Sequence, residues 1–357
     1  MTTEQLDASR VEAFGGRLLE ILNHAGLAFQ LSVGHRTGLF DTMAGLQPST
    51  SEQVAQAAGL DERYVREWLG ALTVGEIVYY EPAAQTYHLP AEHAAMVTRA
   101  AGPDNLAGLA PYMALVGQVE DQVIEAFEKG GGVPYSSYPK FQELQRAETA
   151  AIFDATLVDR TLPLVPGLVE KLETGIDVAD FGTGGGHAIN VMAKAFPNSR
   201  FVGFDISDEG LDFARGEARE WGLENARFEA RDIAAFVGEE PRFDLITTFD
   251  VIHDLARPAE VLDGIHDTLK PGGTYFCADM AASSNLEDNL EHPLAPLLYT
   301  FSIFYCMTTS LAQGGAGLGT MWGEQKAIQM LGDAGFKDVA VERVEADIIN
   351  SYYICHK

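Results

Sequence analysis

A glycine-rich turn between an apolar strand and a helix is the feature that most constrains the fold of this chain. Residues 178–187 read Val-Ala-Asp-Phe-Gly-Thr-Gly-Gly-Gly-His, and a helical run over 188–196 follows. Glycine is needed where a strand turns sharply into a helix and where a ligand approaches the backbone closely. The free N–H groups at the start of such a helix favour an anionic group. The segment therefore predicts a nucleotide-type site.

The spacing of the glycines separates two classes of nucleotide site. A dinucleotide pattern, G-x-G-x-x-G, that started at Gly182 would need a third glycine at position 187, where His187 stands. The observed pattern is D-x-G-x-G-x-G, which begins at Asp180. It resembles the first motif of the class I S-adenosyl-L-methionine (SAM)-dependent methyltransferases. A glycine run alone would also fit a structural turn, so the neighbouring segments decide.

Four further segments follow in the order that this family would have. They cover residues 199–206, 226–233, 243–253 and 269–279, the last opening with the turn Leu-Lys-Pro-Gly-Gly. An acid at the end of the second strand can accept two hydrogen bonds from a ribose diol, and Asp205 stands there. The resemblance implies that Asp232 faces the adenine amino group. We expect the SAM contacts at Asp180, Gly182, Thr183, Gly184, Gly186, Asp205, Ile206, Asp232, Ile233, Phe249 and Asp250.

These segments predict an α/β fold: a Rossmann-like, seven-stranded class I methyltransferase domain over residues 171–357. His187 would open the helix after the glycine turn and either contact the methionine carboxylate of SAM or face solvent. A final helix over 323–334 and strands over 338–344 and 348–355 would close the sheet as an antiparallel hairpin, as the family implies.

Residues 1–98 have the pattern of a mostly helical winged-helix domain. Apolar residues recur at three- and four-residue steps over 11–33, which predicts a long helix apolar on more than one side. Residues 49–72 read as helix, turn, helix, with Gly59 ending the first helix and Asp61 starting the second. Residues 77–80 and 85–89, separated by Pro82, predict a hairpin.

A winged helix often binds DNA, but the charges here disfavour that role. Residues 49–99 contain seven Asp or Glu and only three Arg, whereas DNA binding needs several Lys or Arg near phosphates. A winged helix joined to a SAM domain resembles the small-molecule O-methyltransferases. That resemblance implies a homodimer formed through the N-terminal domain, which covers the partner's active site.

Composition sets further bounds on partners and compartment. The net charge of −28 should repel nucleic acid and anionic membranes, and no apolar run approaches the roughly 20 residues that span a bilayer. The first residues lack a signal-peptide pattern, and the three scattered cysteines fit reduced thiols in a cytoplasm with no metal site. Whether the acidic surface is functional or reflects the source organism stays open.

Two segments are candidates for the wall of a substrate pocket. The helical connector, 99–170, is interrupted by a Gly/Pro/Tyr loop, which is either a surface loop or a cover that brings Tyr135, Tyr138 and Phe141 over the pocket. The insert, 281–319, contains an apolar run with Phe304 and Met307, which could be a core helix, a cavity wall or both. Its glycines could let it act as a lid.

His253 is the candidate general base. It follows the fourth strand, at the edge where such sheets bind ligands, and an imidazole titrates near working pH. Residues 251–255 resemble the His-Asp segment of the O-methyltransferases, which implies that Asp279, at the end of the next strand, orients the imidazole. A structural role for His253 as a helix cap or beneath SAM is the alternative.

One departure from the family pattern leaves the reaction open. The second supporting acid is missing, since Gln313 or Gln325 stands where the family would have Glu. O-methylation of a small molecule is the first hypothesis. N-methylation, SAM binding without methyl transfer and, least favoured, a winged-helix regulator remain as alternatives.

Overall fold

The computed structural model describes residues 6–344 and 347–357, except for the side chain of Glu148. The chain forms two compact units, Met1–Ala114 and Leu115–Lys357. The division differs from the predicted segments 1–98, 99–170 and 171–357. Most of the connector belongs to the second unit because Phe153, Leu157 and Leu162 lie in that unit's hydrophobic core.

The N-terminal unit is mainly helical and carries a small hairpin. Its elements are α1 (Ala8–Thr37), α2 (Leu39–Ala44), α3 (Ser51–Ala58), α4 (Glu62–Val74), β1 (Tyr79–Glu81), β2 (Thr86–His88) and α5 (Ala91–Val97). Thr50 and Gln53 form a capping box at the start of α3, Gly59 ends it with a φ of 67°, and Asp61 caps α4. These local signals produce the predicted helix-turn-helix, which packs around Phe40, Trp68 and Leu69.

The boundary between the units falls in α6 (Ala110–Gly117), and three helices follow before the sheet. They are α7 (Glu120–Lys129), α8 (Phe141–Thr156) and α9 (Leu168–Thr174). The Gly/Pro/Tyr loop lies between α7 and α8, where proline and glycine interrupt the helical pattern.

A seven-stranded sheet forms the centre of the C-terminal unit, as predicted. Its strands and helices are β3 (Asp177–Phe181), α10 (His187–Ala195), β4 (Arg200–Asp205), α11 (Asp208–Glu220), β5 (Ala226–Ala230), β6 (Phe243–Phe249), α12 (Pro258–Thr268), β7 (Leu269–Met280), α13 (Ala295–Phe301), α14 (Met307–Ala312), α15 (Gly323–Asp333), β8 (Lys337–Val344) and β9 (Asp347–His356). The strand order is β5-β4-β3-β6-β7-β9-β8, and β9 runs antiparallel to both of its neighbours, β7 and β8.

Both faces of the sheet are covered by packed side chains. Val178 and Leu245 belong to one core cluster, whereas their neighbours Ala179 and Ile246 belong to another. This alternation follows from the two-residue period of a strand. The order of the strands reverses beside β3, so the carboxyl ends of β3, β4 and β6 open a crevice of the kind that binds ligands in α/β sheets.

The predicted insert follows β7 and contains α13, a π-helical segment at Ser302–Cys306, and α14. Within the described residues, one helical stretch, Ala295–Ala312, is long and apolar enough to cross a membrane by length and composition alone. Of this stretch, 44% is buried inside the protein, and core helices meet the same criterion.

Candidate active site

The turn after β3 depends on glycine at two crowded positions. Gly182 and Gly186 have φ angles of 76° and 69°, in the region that favours glycine. A Cβ atom on Gly186 would stand 2.4 Å from the Cβ of Ala214, and one on Gly182 would stand 2.6 Å from Cγ1 of Val251. Gly186 also starts α10. The glycines therefore let the loop pack closely at the N-terminus of α10.

Asp180 and Asp205 lie at the ends of the adjacent strands β3 and β4, beside the glycine-rich turn. The Asp180 carboxylate accepts a hydrogen bond of 2.7 Å from the Thr247 hydroxyl, and burial raises its pKa to about 7. The Asp205 carboxylate accepts from the backbone N–H of Gly184 at 2.7 Å and of Ser207 at 2.8 Å. Burial raises the pKa of Asp205 too. The backbone N–H of Ile206 has a hydrogen-bond interaction with the same carboxylate. A carboxylate has about four acceptor positions, so Asp205 keeps about one for a further donor.

Asp232 follows β5 and starts a short turn. Its carboxylate accepts from the N–H of Ala234 at 2.9 Å and pairs with the Arg257 guanidinium at 2.5 Å. These contacts hold the segment 231–234 at the rim of the crevice.

The crevice is a cavity of about 610 Å³. All eleven residues that the motifs assign to SAM line it: Asp180, Gly182, Thr183, Gly184, Gly186, Asp205, Ile206, Asp232, Ile233, Phe249 and Asp250. They come from four separate strand ends, which the parallel topology brings to one edge of the sheet. The cavity therefore joins segments that are up to 70 residues apart in sequence.

His253 and Asp279 form a buried pair beside this cavity. The imidazole Nδ1 lies 2.7 Å from Oδ1 of Asp279, and the side chains are about 3% and 0% exposed. Oδ1 also accepts from the indole N–H of Trp322 at 3.0 Å. The Cys306 thiol interacts with the imidazole as well. Burial opposes a charge on His253, but the Asp279 carboxylate outweighs it and raises the pKa of His253 well above its ordinary value.

Neither His253 nor Asp279 is among the described residues that line the cavity, whereas Asp254 is. Burial raises the pKa of Asp254 to about 6, and its carboxylate has a hydrogen-bond interaction with the hydroxyl of Tyr135. His253 and Asp254 are therefore consecutive residues of one short turn, but their side chains lie in different surroundings.

Aromatic rings from the connector and the insert meet at the cavity. Tyr135, Tyr138 and Phe141 line it, and the ring of Tyr305 stacks on Phe141 with centroids 3.9 Å apart. The Tyr138 ring meets Tyr305 edge-on at 4.8 Å, and its hydroxyl donates to the Phe304 carbonyl. The connector loop is therefore part of the cavity wall.

The insert contributes a different residue from those expected. Of the described residues in the insert, Tyr305 and Gln313 line the cavity, whereas Phe304 and Met307 do not. Tyr305 lies in the predicted apolar run, but the π-helical turn at Ser302–Cys306 shifts which side chains point to one face. A regular helical period in the sequence therefore does not identify Tyr305 as a cavity residue.

The structure places two polar residues, His187 and Gln313, at the cavity. His187 is buried and lines the cavity, with Nδ1 3.0 Å from Glu217 and Nε2 3.1 Å from Asp154. Burial lowers the pKa of His187, but the two carboxylates outweigh it and raise the pKa overall. Gln313 lines the cavity, whereas Gln325 instead accepts from Ser283 and Ser284.

Across residues 6–344 and 347–357, no group of three or more His, Cys, Asp or Glu side chains is placed to hold a metal ion. The three cysteines are free and buried.

Two family models match this chain. One, described as an Rv2258c-like winged HTH domain, covers residues 25–99, and the other, a methyltransferase domain, covers residues 172–306. The match to the second model includes every residue assigned to SAM.

The curated relatives match part of this chain. Over 110 residues the chain is 34% identical to a ubiquinone biosynthesis O-methyltransferase of Ruegeria pomeroyi. The matched stretch covers 30% of this chain and 43% of that protein. Over 158 residues it is 28% identical to the enzyme of the same name from Shewanella pealeana, covering 44% and 61%. The chain thus spans less than two thirds of these relatives.

Solved structures resemble the whole chain. Human N-acetylserotonin methyltransferase, solved with SAM, has a TM-score of 0.70 at 18% identity and covers 100% of this chain and 99% of its own. The mitomycin 7-O-methyltransferase MmcR has a TM-score of 0.72 at 17% identity, covering 98% and 100%. At these identities the likeness concerns the fold. This chain therefore joins a winged helix-turn-helix domain to a methyltransferase domain with the class I fold.

Proposed function

We propose that this protein is a SAM-dependent methyltransferase that acts on a small molecule, and that the acceptor group is a hydroxyl. The observation that carries the proposal is the cavity that gathers all eleven motif residues around the glycine turn. Its volume, about 610 Å³, lies within the range of small-molecule sites. The named relatives and structural neighbours, which are methyltransferases, support the same activity.

The residues present fit SAM. Asp205 keeps acceptor capacity for about one ribose hydroxyl, and Asp232 and Ile233 would hold the adenine. The glycine turn and the N-terminus of α10 suit the methionine carboxylate, since a helix N-terminus favours negative charge. When bound, SAM supplies an electrophilic methyl group on its sulfonium.

The chain's own residues must then deal with the acceptor's proton, because a neutral hydroxyl is a poor nucleophile. We assign that role to His253. Its Nδ1 is held by Asp279, which leaves Nε2 to accept the proton. The Cys306 thiol also has a hydrogen-bond interaction with the imidazole, and the acceptor would have to compete with it. Asp279 is a positioning residue, since it acts only through the imidazole.

An amine acceptor is the second candidate, and one observation favours it. Asp279 raises the pKa of His253 well above its ordinary value, which favours the protonated imidazole, and only the neutral form can act as a base. A neutral amine needs less help from a base than a hydroxyl. The two candidates differ in how strongly they depend on His253.

Calorimetric titration with SAM and S-adenosylhomocysteine, with NAD as control, tests the cofactor. We expect micromolar binding of the first two and none of NAD. Labelled SAM with phenols, catechols and amines then tests methyl transfer. Folded protein that binds no SAM would refute the proposal, and binding without transfer to any acceptor class would leave a SAM-binding protein.

We also propose that two copies of the chain pair through α1. Large apolar side chains on this helix are exposed, among them Phe14 at 63%, Leu19 at 64% and Leu22 at 67%. Phe14, Leu18, Leu22 and Phe29 follow one another at steps of four, four and seven residues and share one face. A contiguous apolar stripe of this kind marks an interaction surface, and a second copy offers the same stripe.

A further inference from the structure

An indole N–H bonds to the carboxylate that orients the proposed base. Trp322 is 5% exposed, and its Nε1 donates to Oδ1 of Asp279 at 3.0 Å. The same oxygen lies 2.7 Å from Nδ1 of His253 and accepts from the backbone N–H of Met280 at 2.8 Å. Three nitrogen atoms therefore meet one carboxylate oxygen in a buried site.

The segment that carries Trp322 is tied to both members of the pair. The backbone N–H of Gly319 donates to the His253 carbonyl at 2.8 Å, and the N–H of Trp322 donates to the Gly319 carbonyl at 3.1 Å. The Trp322 carbonyl accepts from the Ser284 hydroxyl at 2.6 Å. The backbone of Trp322 is thus linked to the turn that carries His253, while its side chain bonds to Asp279.

The sequence lacks the second supporting acid of the O-methyltransferase pattern, and Trp322 gives Asp279 a different kind of partner. A second carboxylate beside the imidazole would favour its protonated form, because opposite charges attract. The indole N–H instead stabilises the negative charge on Asp279, so Oδ1 attracts the imidazole proton less strongly. A buried indole needs an acceptor, but that need alone does not select the oxygen that His253 uses.

Other titratable groups face this pair as well. Those that interact with His253 or Asp279 are Cys277, Asp254, Cys306 and Tyr353. Burial raises the pKa of the two thiols and of the phenol, so these groups are uncharged at neutral pH. Burial raises the pKa of the Asp254 carboxyl to about 6. A substitution at Trp322 leaves all four side chains in the protein, so a difference between variants reports the lost N–H.

We propose that Trp322 is a positioning residue for the proposed base, whose indole N–H fixes the Asp279 carboxylate and weakens its hold on the proton of His253. The inference rests on the proposed function, because it adds a residue to the same pair. Without the N–H, Asp279 should be a stronger partner for the protonated imidazole, so His253 should lose its proton at a higher pH. Asp279→Asn acts in the opposite direction, since it removes the charge that favours this proton.

A pH titration of His253 by NMR tests this inference without relying on turnover. In the full chain labelled at histidine, the signal that is absent from His253→Ala identifies this residue. We expect Trp322→Phe, which keeps a flat apolar ring, to raise the midpoint by about half a pH unit or more. Trp68→Phe is the matched control and should keep the wild-type midpoint. Trp68 is 4% exposed, and its indole donates to the Gln30 carbonyl at 2.9 Å in the N-terminal unit.

An unchanged or lower midpoint in Trp322→Phe, or the same rise in Trp68→Phe, would overturn the inference. If Trp322→Phe does not fold, the wild-type protein supplies the test. The indole proton signal of Trp322 should then shift with the same midpoint as His253, and a signal that does not follow this titration would count against the coupling.

Kinetics separates the inference from the proposed function. In an active protein, the rise of kcat/KM with pH should move to higher pH in Trp322→Phe by the same amount as the NMR midpoint. A lower rate at every pH, with no movement of the profile, would mean that Trp322 only packs the core. A raised NMR midpoint without methyl transfer to any acceptor class would support the coupling and count against the proposed function alone.

Discussion

The Nδ1 atom of His253 lies 2.7 Å from Oδ1 of Asp279, although the two residues belong to different segments 26 positions apart. The adjacent acid, Asp254, does not take this place; it faces the cavity. Parallel pairing of β6 with β7 brings the ends of the two strands together, so the orienting acid comes from the next strand. This relationship underlies the first two predictions.

Removing the imidazole should greatly slow methyl transfer to a hydroxyl. We expect His253→Ala to lower kcat on the order of 100-fold or more, because general-base catalysis contributes about that much. Calorimetry should show unchanged affinity for SAM, since His253 does not line the cavity. A near-normal rate would remove His253 from the chemistry, and a large loss with hydroxyl acceptors but not amines would separate the two candidate reactions.

The pH dependence of the rate should reveal the charge of Asp279. A base acts in its neutral form, and Asp279 raises the pKa of His253 against the effect of burial. The rate should therefore still be rising above about pH 6.5, the ordinary pKa of histidine. Asp279→Asn removes the charge, so the rise should move to lower pH while the maximal rate falls. An unshifted kcat/KM profile would contradict this control by Asp279.

Loss of the acid at the end of β4 should weaken SAM binding. Asp205→Ala removes a carboxylate that faces the cavity and also holds the N–H of Gly184. We expect calorimetry to show on the order of 10-fold to 100-fold lower affinity, the effect of losing hydrogen bonds to a charged group. Asp212→Ala, an exposed acid on α11, is the matched control and should bind normally. Equal affinity in both variants would argue against the ribose assignment.

Gly186→Ala should destabilise the C-terminal unit more than a similar change at an open position. Gly186 and Gly167 both precede a helix with φ angles near 70°, where alanine costs roughly 1–2 kcal/mol. Only at Gly186 would the new methyl group meet Ala214 and Phe228, which adds about 1–3 kcal/mol of overpacking. Urea denaturation of the two variants should show this difference in the free energy of unfolding. Similar values would mean that the loop relaxes.

A charge within the apolar stripe of α1 should separate the proposed dimer. We expect Leu22→Glu to sediment as a monomer where the unaltered chain sediments as a dimer, because burying the new carboxylate is unfavourable. Ala13→Glu lies about two and a half turns away, on the opposite side of the helix, and should remain dimeric. A monomeric wild-type protein would refute the pairing.

The sequence by itself determined the fold class and the cofactor half of the cavity. Glycines at 182, 184 and 186 and acids at 180, 205 and 232 are local signals, since each reflects what one strand end or one turn requires. These residues come together because the carboxyl ends of parallel strands meet at one edge of the sheet. The helix-turn-helix was equally predictable, because its caps, Thr50, Gly59 and Asp61, act on their own helices.

Only the tertiary structure decided which side chains of the insert and of the turn after β6 line the cavity. Tyr305, and not Phe304 or Met307, reaches the cavity because a π-helical turn changes the helical phase. Asp254 faces the cavity and His253 is buried because the turn at Ile252–Asp254 directs consecutive side chains differently. Both outcomes depend on packing between segments distant in sequence, which local periodicity does not encode.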